Sequence, residues 1–215
     1  MISQGLSDAL RAVAEAALTP VVIILLALIA VTIILLGTLI AEFFTERRHL
    51  KVKMPVLINQ IRAAEKSPEE IITGSGLIKK QKETLRELVL QSELSNTMRE
   101  ALAVRLLTET RARYDGIVNI TNVIAKIGPM LGLLGTLIPL GPGIIALGRG
   151  DTYTLSTSLL TAFDTTVAGL ICAAIALIVS VIRKKWYADY MSMLETLMEC
   201  ILDKEKKDDQ ALWNR

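Results

Sequence analysis

Hydroxyl and carboxyl side chains inside two apolar stretches are the groups of this chain that could do chemistry. The first stretch reads Gly-Pro-Met-Leu-Gly-Leu-Leu-Gly-Thr over residues 128–136, and the second reads Thr-Ala-Phe-Asp-Thr-Thr-Val-Ala-Gly-Leu over residues 161–170. Hydroxyl and carboxylate oxygens can coordinate or relay an ion. Because polar groups are costly in a bilayer, this pattern indicates helices that pack closely together and line a polar path.

The composition indicates that these stretches belong to a membrane protein. Hydrophobic residues make up 52% of the 215 residues, which is more than a single soluble core of this length requires. The net charge of +2 is too small to indicate a nucleic-acid partner. Two cysteines and one histidine give little support to a disulfide framework or a zinc site, so we expect no metal and no cofactor.

Three segments are apolar and long enough to cross the lipid bilayer. The first contains an uncharged run, Pro20–Ala41, which at about 1.5 Å per residue spans a hydrocarbon core of about 30 Å. It exceeds the usual length of about 7–15 residues for the apolar segment of a signal peptide, and the residues before it are not basic, so we expect it to be retained. The short connector at residues 148–151 makes the other two spans an antiparallel hairpin. Pro139 and Pro142 should bend or break the far end of the second span.

Lysine and arginine residues predict the orientation. Residues 43–116 hold 14 of the 24 and the tail after residue 182 holds 7 more, which places both in the cytoplasm and the N-terminus outside. The predicted organisation is an outer amphipathic helix (1–19), transmembrane helix 1 (20–42), a cytoplasmic helical region (43–116), transmembrane helix 2 (117–148), transmembrane helix 3 (152–183) and a cytoplasmic C-terminal helix or tail (184–215).

The cytoplasmic region is expected to be helical. Ser67 followed by Pro68 and two glutamates is a typical helix start, and the Gly-Ser-Gly run at 74–76 should end that helix. One long helix should then run from Leu77 into the second span, since no strong breaker occurs before Gly116. Its charged residues favour a solvated bundle over a specific docking site, and its apolar residues recur at helical spacing: Leu85, Leu88, Met98, Leu102 and Leu106.

Two motifs and the topology together resemble the MotA/TolQ/ExbB proton-channel family. The motifs are Gly-Leu-Leu-Gly-Thr at 132–136 and Thr-Thr-Val-Ala-Gly-Leu at 165–170, in consecutive spans. The large cytoplasmic segment between the first two spans also matches, and its size is closer to the TolQ/ExbB type than to a flagellar stator. The resemblance implies an all-α, multi-pass protein of the cytoplasmic membrane that is not an enzyme.

The resemblance also implies a function and partners. Members of the family form homo-oligomeric rings of five around two single-span partners of the ExbD/TolR/MotB type, and ion flow through the assembly drives mechanical work. The process would be energy transfer to a partner across the envelope. A non-conducting membrane scaffold that organises a partner protein is the alternative function, and the sequence leaves proton versus sodium open.

Four side chains are candidates for the ion pathway. By resemblance, Thr136 and Thr166 match the pore threonines that face the partner's ion-carrying aspartate. Thr161 takes the position of a glutamate found in many family members, and the acid appears instead at Asp164. Asp164 and Thr166 lie about 200° apart around a helix, so they cannot share a face. Asp164 could therefore lie on the ion path or form a structural hydrogen bond between helices.

The remaining motif residues are expected to pack. Threonines in helices often bond to their own backbone one turn back, which is the ordinary alternative for Thr136 and Thr166. Thr165 is expected to be a packing residue. The glycines should allow close helix packing, since they carry no side chain that could bind a ligand; they are Gly128, Gly132, Gly135 and Gly169.

Overall fold

The described residues are almost entirely helical and include no strand, as the sequence predicts. The computed structural model describes residues 2–47, 54–63, 68–91 and 94–213. A π-helical turn, Phe43–Arg47, follows the first helix. The α-helices of these residues are α1 (Ile2–Glu42), α2 (Met54–Arg62), α3 (Pro68–Gly74), α4 (Lys79–Leu90), α5 (Asn96–Gly148) and α6 (Thr152–Trp213).

Three of these helices, α1, α5 and α6, are long and apolar enough to cross a membrane. Where the sequence suggests a surface helix at 1–19 followed by a separate span, α1 runs through Pro20 without interruption. Proline removes only one backbone donor, which leaves the Ala16 carbonyl without its helical partner, and the flanking alanine-rich residues favour helix. Helix α1 is therefore one continuous helix instead of a surface helix followed by a separate span.

The second spanning helix also continues through its prolines. Of the bend or break predicted at Pro139 and Pro142, the break does not occur, because α5 extends to Gly148. Each proline again costs a single helical hydrogen bond, at the carbonyls of Gly135 and Ile138, while the neighbouring residues keep theirs. The turn to α6 is completed by Gly150, whose φ of 77° is a conformation that glycine adopts easily.

The chain divides into two compact units, which we name the spanning unit and the charged unit. The spanning unit comprises residues 1–39 and 118–181. In it, Val21 and Leu25 of α1 pack on Leu131 of α5, with Ile138 partly buried against them. These large apolar contacts join α1 to α5, whereas small residues join α5 to α6.

The charged unit comprises residues 40–117 and 182–215 and has its own apolar core. Gln81 is buried in it, where its amide nitrogen donates to the Tyr190 carbonyl at 3.1 Å and its side-chain oxygen accepts from the Ile78 N–H at 3.3 Å. These bonds fix the start of α4 on α6. Fully buried members of this core include Ile61, Leu85, Leu88, Leu194, Leu197, Met198 and Ile201.

Two helix boundaries in the charged unit test the sequence interpretation. Helix α3 begins at Pro68 and ends at Gly74, as predicted, although the capping residue Ser67 lies outside the described residues. The single helix predicted from Leu77 is wrong in its first part, because α4 ends at Leu90 and α5 begins at Asn96. The Ser95 carbonyl accepts the Arg99 N–H at 3.0 Å and so starts the new helix. From there α5 does continue unbroken into the second span.

A buried ion pair joins distant parts of the charged unit. Arg183 Nε lies 3.4 Å from Glu42 Oε2, and the two side chains are only 5% and 15% exposed. The Tyr187 hydroxyl donates to the same carboxylate oxygen at 3.4 Å, and its ring stacks on Tyr114 at 4.3 Å. The sequence suggests for Glu42 only a position at the membrane edge, since no local pattern links residues so far apart.

Candidate ion pathway

Glycines bring the backbones of α5 and α6 into contact. A Cβ atom added at Gly169 would lie 2.5 Å from the Gly128 carbonyl oxygen and 3.0 Å from Gly132 Cα. One added at Gly128 would lie 2.8 Å from the Gly169 carbonyl oxygen. Real Cβ atoms do not approach backbone so closely, so only glycine fits both positions in this packing.

Thr165 packs at the same crossing of α5 and α6, one helical turn before Gly169. Its side chain is buried, and its hydroxyl donates to the Thr161 and Ala162 carbonyls of its own helix at 3.0 Å. A Cβ atom at Gly135 would lie only 2.6 Å from the Thr165 Cβ. Thr165 is therefore a packing residue, as the sequence predicts.

Thr166 and Thr136 differ in how their hydroxyls bond. The Thr166 hydroxyl points across the crossing toward the Gly132 carbonyl of α5, at 3.4 Å. The Thr136 hydroxyl bonds within its own helix, to the Leu133 carbonyl at 2.7 Å, which is the ordinary alternative for a helical threonine. Both side chains are half-buried, and both oxygens keep lone pairs that can accept a hydrogen bond.

Thr136 points away from α1. The α5 residues that pack on α1 are Leu131 and Ile138. At about 100° per residue, Thr136 is displaced by about 140° from Leu131 and by about 160° from Ile138. Thr136 therefore lies on the side of α5 that the first span leaves uncovered.

Asp164 and Thr161 occupy a different part of α6 from Thr166. Asp164 is exposed within the described chain, and Thr161 is half-buried with its hydroxyl donating to the Thr157 carbonyl at 3.0 Å. A charged side chain at the centre of a bilayer costs about 2.5–3.5 kcal/mol or more, which disfavours contact with lipid. The four candidates thus do not form one surface within a single chain: Thr166 contacts α5, and Asp164 lies on the outer face of α6.

A polar contact near one end of the spanning unit was not foreseen from the sequence. The Ser180 hydroxyl of α6 donates to Asn122 Oδ1 of α5 at 2.5 Å; Ser180 is buried and Asn122 is half-buried. From the sequence, Asn122 is expected in water or at the interface. An amide followed, some 58 residues later, by a serine carries no recognisable signal until the register of the two helices is known.

Other kinds of site find little support in the described ranges. No group of three or more His, Cys, Asp or Glu side chains there could hold a metal ion. The two cysteines, Cys172 and Cys200, are both buried and free.

The sequence comparisons agree with the resemblance noted above. The model of the MotA/TolQ/ExbB proton channel family matches residues 66–196, which is more than half of the chain and includes all of α5 and residues 152–196 of α6. No match was found among curated proteins. This family consists of membrane channel proteins and is not an enzyme class. The chain is a member of the MotA/TolQ/ExbB proton channel family.

Proposed function

We propose that this protein is the ring-forming subunit of an ion-driven membrane motor. Five copies enclose two copies of a single-span partner of the ExbD/TolR type, and the flow of protons or sodium ions is coupled to mechanical work through that partner. The observation that carries the proposal is the α5–α6 crossing, where glycines hold the Thr166 hydroxyl against the Gly132 carbonyl inside the family-matched region.

The proposed ion pathway uses hydroxyl oxygens of two spans. Thr136 lies on the side of α5 that α1 leaves uncovered, and Thr166 is half-buried at the crossing, so both can face a helix at the centre of a ring. In this role they accept hydrogen bonds from water or from the partner's protonated carboxyl group. Thr161 and Asp164 belong to the same pathway at a separate position on α6.

In this proposal the protein lies in the cytoplasmic membrane with its N-terminus outside. The excess of lysine and arginine in residues 43–116 and after residue 182 favours this orientation. The size of the charged segment between the first two spans favours a motor of the TolQ/ExbB type, which transfers energy across the envelope, over one that turns a flagellum.

Cysteine cross-linking tests whether the threonines face the partner. In a background with Cys172 and Cys200 replaced by alanine, Thr166→Cys and Thr136→Cys are each combined with single cysteines along the partner's span. Oxidation should link both positions to the partner. The control is Ile33→Cys in α1, where the native side chain is 65% exposed, and it should give no link. A link from Ile33→Cys without one from either threonine position would refute the arrangement.

A membrane scaffold is the competing function. It predicts the same cross-links but no ion flux through the purified complex. Flux measurements on wild-type complex therefore separate a motor subunit from a scaffold, independently of the cross-linking result.

A further inference from the structure

A row of polar side chains runs along the outer face of α6, separate from the contact with α5. Thr157, Thr161 and Asp164 follow one another at spacings of four and three residues, which places them on one side of the helix. Thr157 and Asp164 are exposed and Thr161 is half-buried. The row is continuous, since each member is the nearest neighbour of the next along the helix surface.

The hydroxyls of this row present only acceptor oxygens. The Thr157 hydroxyl donates to the Tyr153 and Thr154 carbonyls at 3.2 and 3.0 Å, and the Thr161 hydroxyl donates to the Thr157 carbonyl at 3.0 Å. Each threonine has one hydroxyl proton, so these bonds leave the lone pairs facing outward. Lone pairs followed by a carboxylate form a lining suited to a hydrated cation and unsuited to an anion.

One end of the row opens at the turn between α5 and α6. Asp151 accepts bonds from the Thr154 N–H at 3.0 Å and from the Thr154 hydroxyl at 2.5 Å, and these bonds lower the pKa of Asp151. A carboxylate that stays ionised at the turn attracts cations to this end. Thirteen residues of helix, about 20 Å at about 1.5 Å per residue, separate Asp151 from Asp164.

We infer that this row lines a hydrated access path along which a small monovalent cation, the hydrated proton included, reaches Asp164 from the turn. The inference rests on the proposed function and deepens it, since it assigns the entry half of the pathway to a face of α6 other than the one that carries Thr166. The next copy of the chain in the ring faces this row, because contact with lipid would leave the Asp164 carboxyl group without a polar partner.

Thiol accessibility tests the path without measuring flux. In open membrane fragments that contain the assembled complex, with Cys172 and Cys200 replaced by alanine, Thr157→Cys and Thr161→Cys are treated with membrane-impermeant methanethiosulfonates. A cationic reagent should label both at least tenfold faster than an anionic one. The control Phe163→Cys lies at the same depth, 66% exposed in the single chain and about 100–160° around the helix from the three members of the row, and should stay unlabelled. Equal rates for both reagents, or labelling only at Phe163→Cys, would overturn the inference.

Flux in proteoliposomes tests the role of Asp164. Under a proton gradient and, in a second arm, a sodium gradient, Asp164→Asn should lower the flux of the conducted ion at least tenfold, and Asp164→Glu should retain most of it. An Asp164→Asn variant that conducts as well as wild type would contradict the path while leaving the motor proposal intact. If the wild-type complex conducts neither ion, the motor proposal itself fails, and thiol labelling still decides whether the row is hydrated.

Discussion

Replacing Gly169 by alanine should weaken the crossing of α5 and α6 more than any other alanine substitution of a glycine in these spans. The new Cβ atom would lie 2.5 Å from the Gly128 carbonyl oxygen and 3.0 Å from Gly132 Cα. Both contacts are with backbone, which cannot rotate away as a side chain could. The two helices must therefore separate locally by about 0.9 Å to restore an ordinary contact of about 3.4 Å.

The cost of that separation follows from packing. Overpacked sites lose about 1–3 kcal/mol, and a gap of 0.5–1 Å forfeits about a quarter to a half of the dispersion energy of the atoms that line it. We expect Gly169→Ala to lower the free energy of unfolding by about 2 kcal/mol. The matched control is Gly141→Ala in α5, where an added Cβ meets nothing within 4 Å. That change should be neutral, or stabilising by up to about 1 kcal/mol through helix propensity.

Titration of the detergent-solubilised protein with dodecyl sulfate, followed by circular dichroism, measures this difference. Gly169→Ala should unfold at a clearly lower denaturant fraction than both wild type and Gly141→Ala. Equal stability of the two alanine variants would show that the glycine contacts do not determine the packing, and would remove the physical basis for holding Thr166 at the Gly132 carbonyl.

Two further predictions concern an ion pair at the ends of two spans and a carboxylate in the turn between α5 and α6. Glu42→Gln leaves the buried Arg183 guanidinium without this carboxylate and should destabilise the protein by about 3 kcal/mol in the same titration. The double variant with Arg183→Met should recover part of this loss, because it removes the unpaired charge. A Glu42→Gln variant as stable as wild type would contradict the prediction. For Asp151, the lowered pKa means that its ionised form stabilises the folded state above its ordinary pKa of 3.8, and that this contribution is lost as pH falls through the folded value. Asp151→Asn should therefore have a lower melting temperature than wild type at pH 7, and this difference should shrink as the pH is lowered below 3.8. A difference that does not change with pH would refute the charge effect.

Local sequence patterns predict some elements of this structure and fail for others. The uncharged run in α1, the Pro-Glu-Glu start of α3 and the connector between α5 and α6 act over a few residues, so the sequence predicts them. Met98 illustrates a failure: it recurs at helical spacing with Leu102 and Leu106, yet it is 60% exposed, because the buried side at the start of α5 is formed instead by Arg99, Ala103 and Leu106.

The candidate site shows the same limit. Angular spacing alone predicts that Asp164 and Thr166 diverge around α6, and the structure has Asp164 exposed and Thr166 against α5. The Thr166–Gly132 contact, the Ser180–Asn122 bond and the Glu42–Arg183 pair all depend on the register between helices. Register is set by packing along the full length of two helices, so no short motif contains it.

Ion flux through the reconstituted complex is the measurement that tests the motor proposal most directly. The subunit and its single-span partner are placed in liposomes, and the flux of protons and of sodium ions is recorded under an imposed gradient. Wild-type complex should conduct one of the two ions, the subunit without its partner should not, and Thr166→Val should reduce the flux about tenfold, as expected for losing one hydrogen-bonding group worth about 1.4 kcal/mol. The control Thr32→Val, at a buried α1 hydroxyl bonded to the Leu28 carbonyl at 2.7 Å, should conduct like wild type. A correctly assembled wild-type complex that passes neither ion would contradict the account and leave the scaffold function in its place.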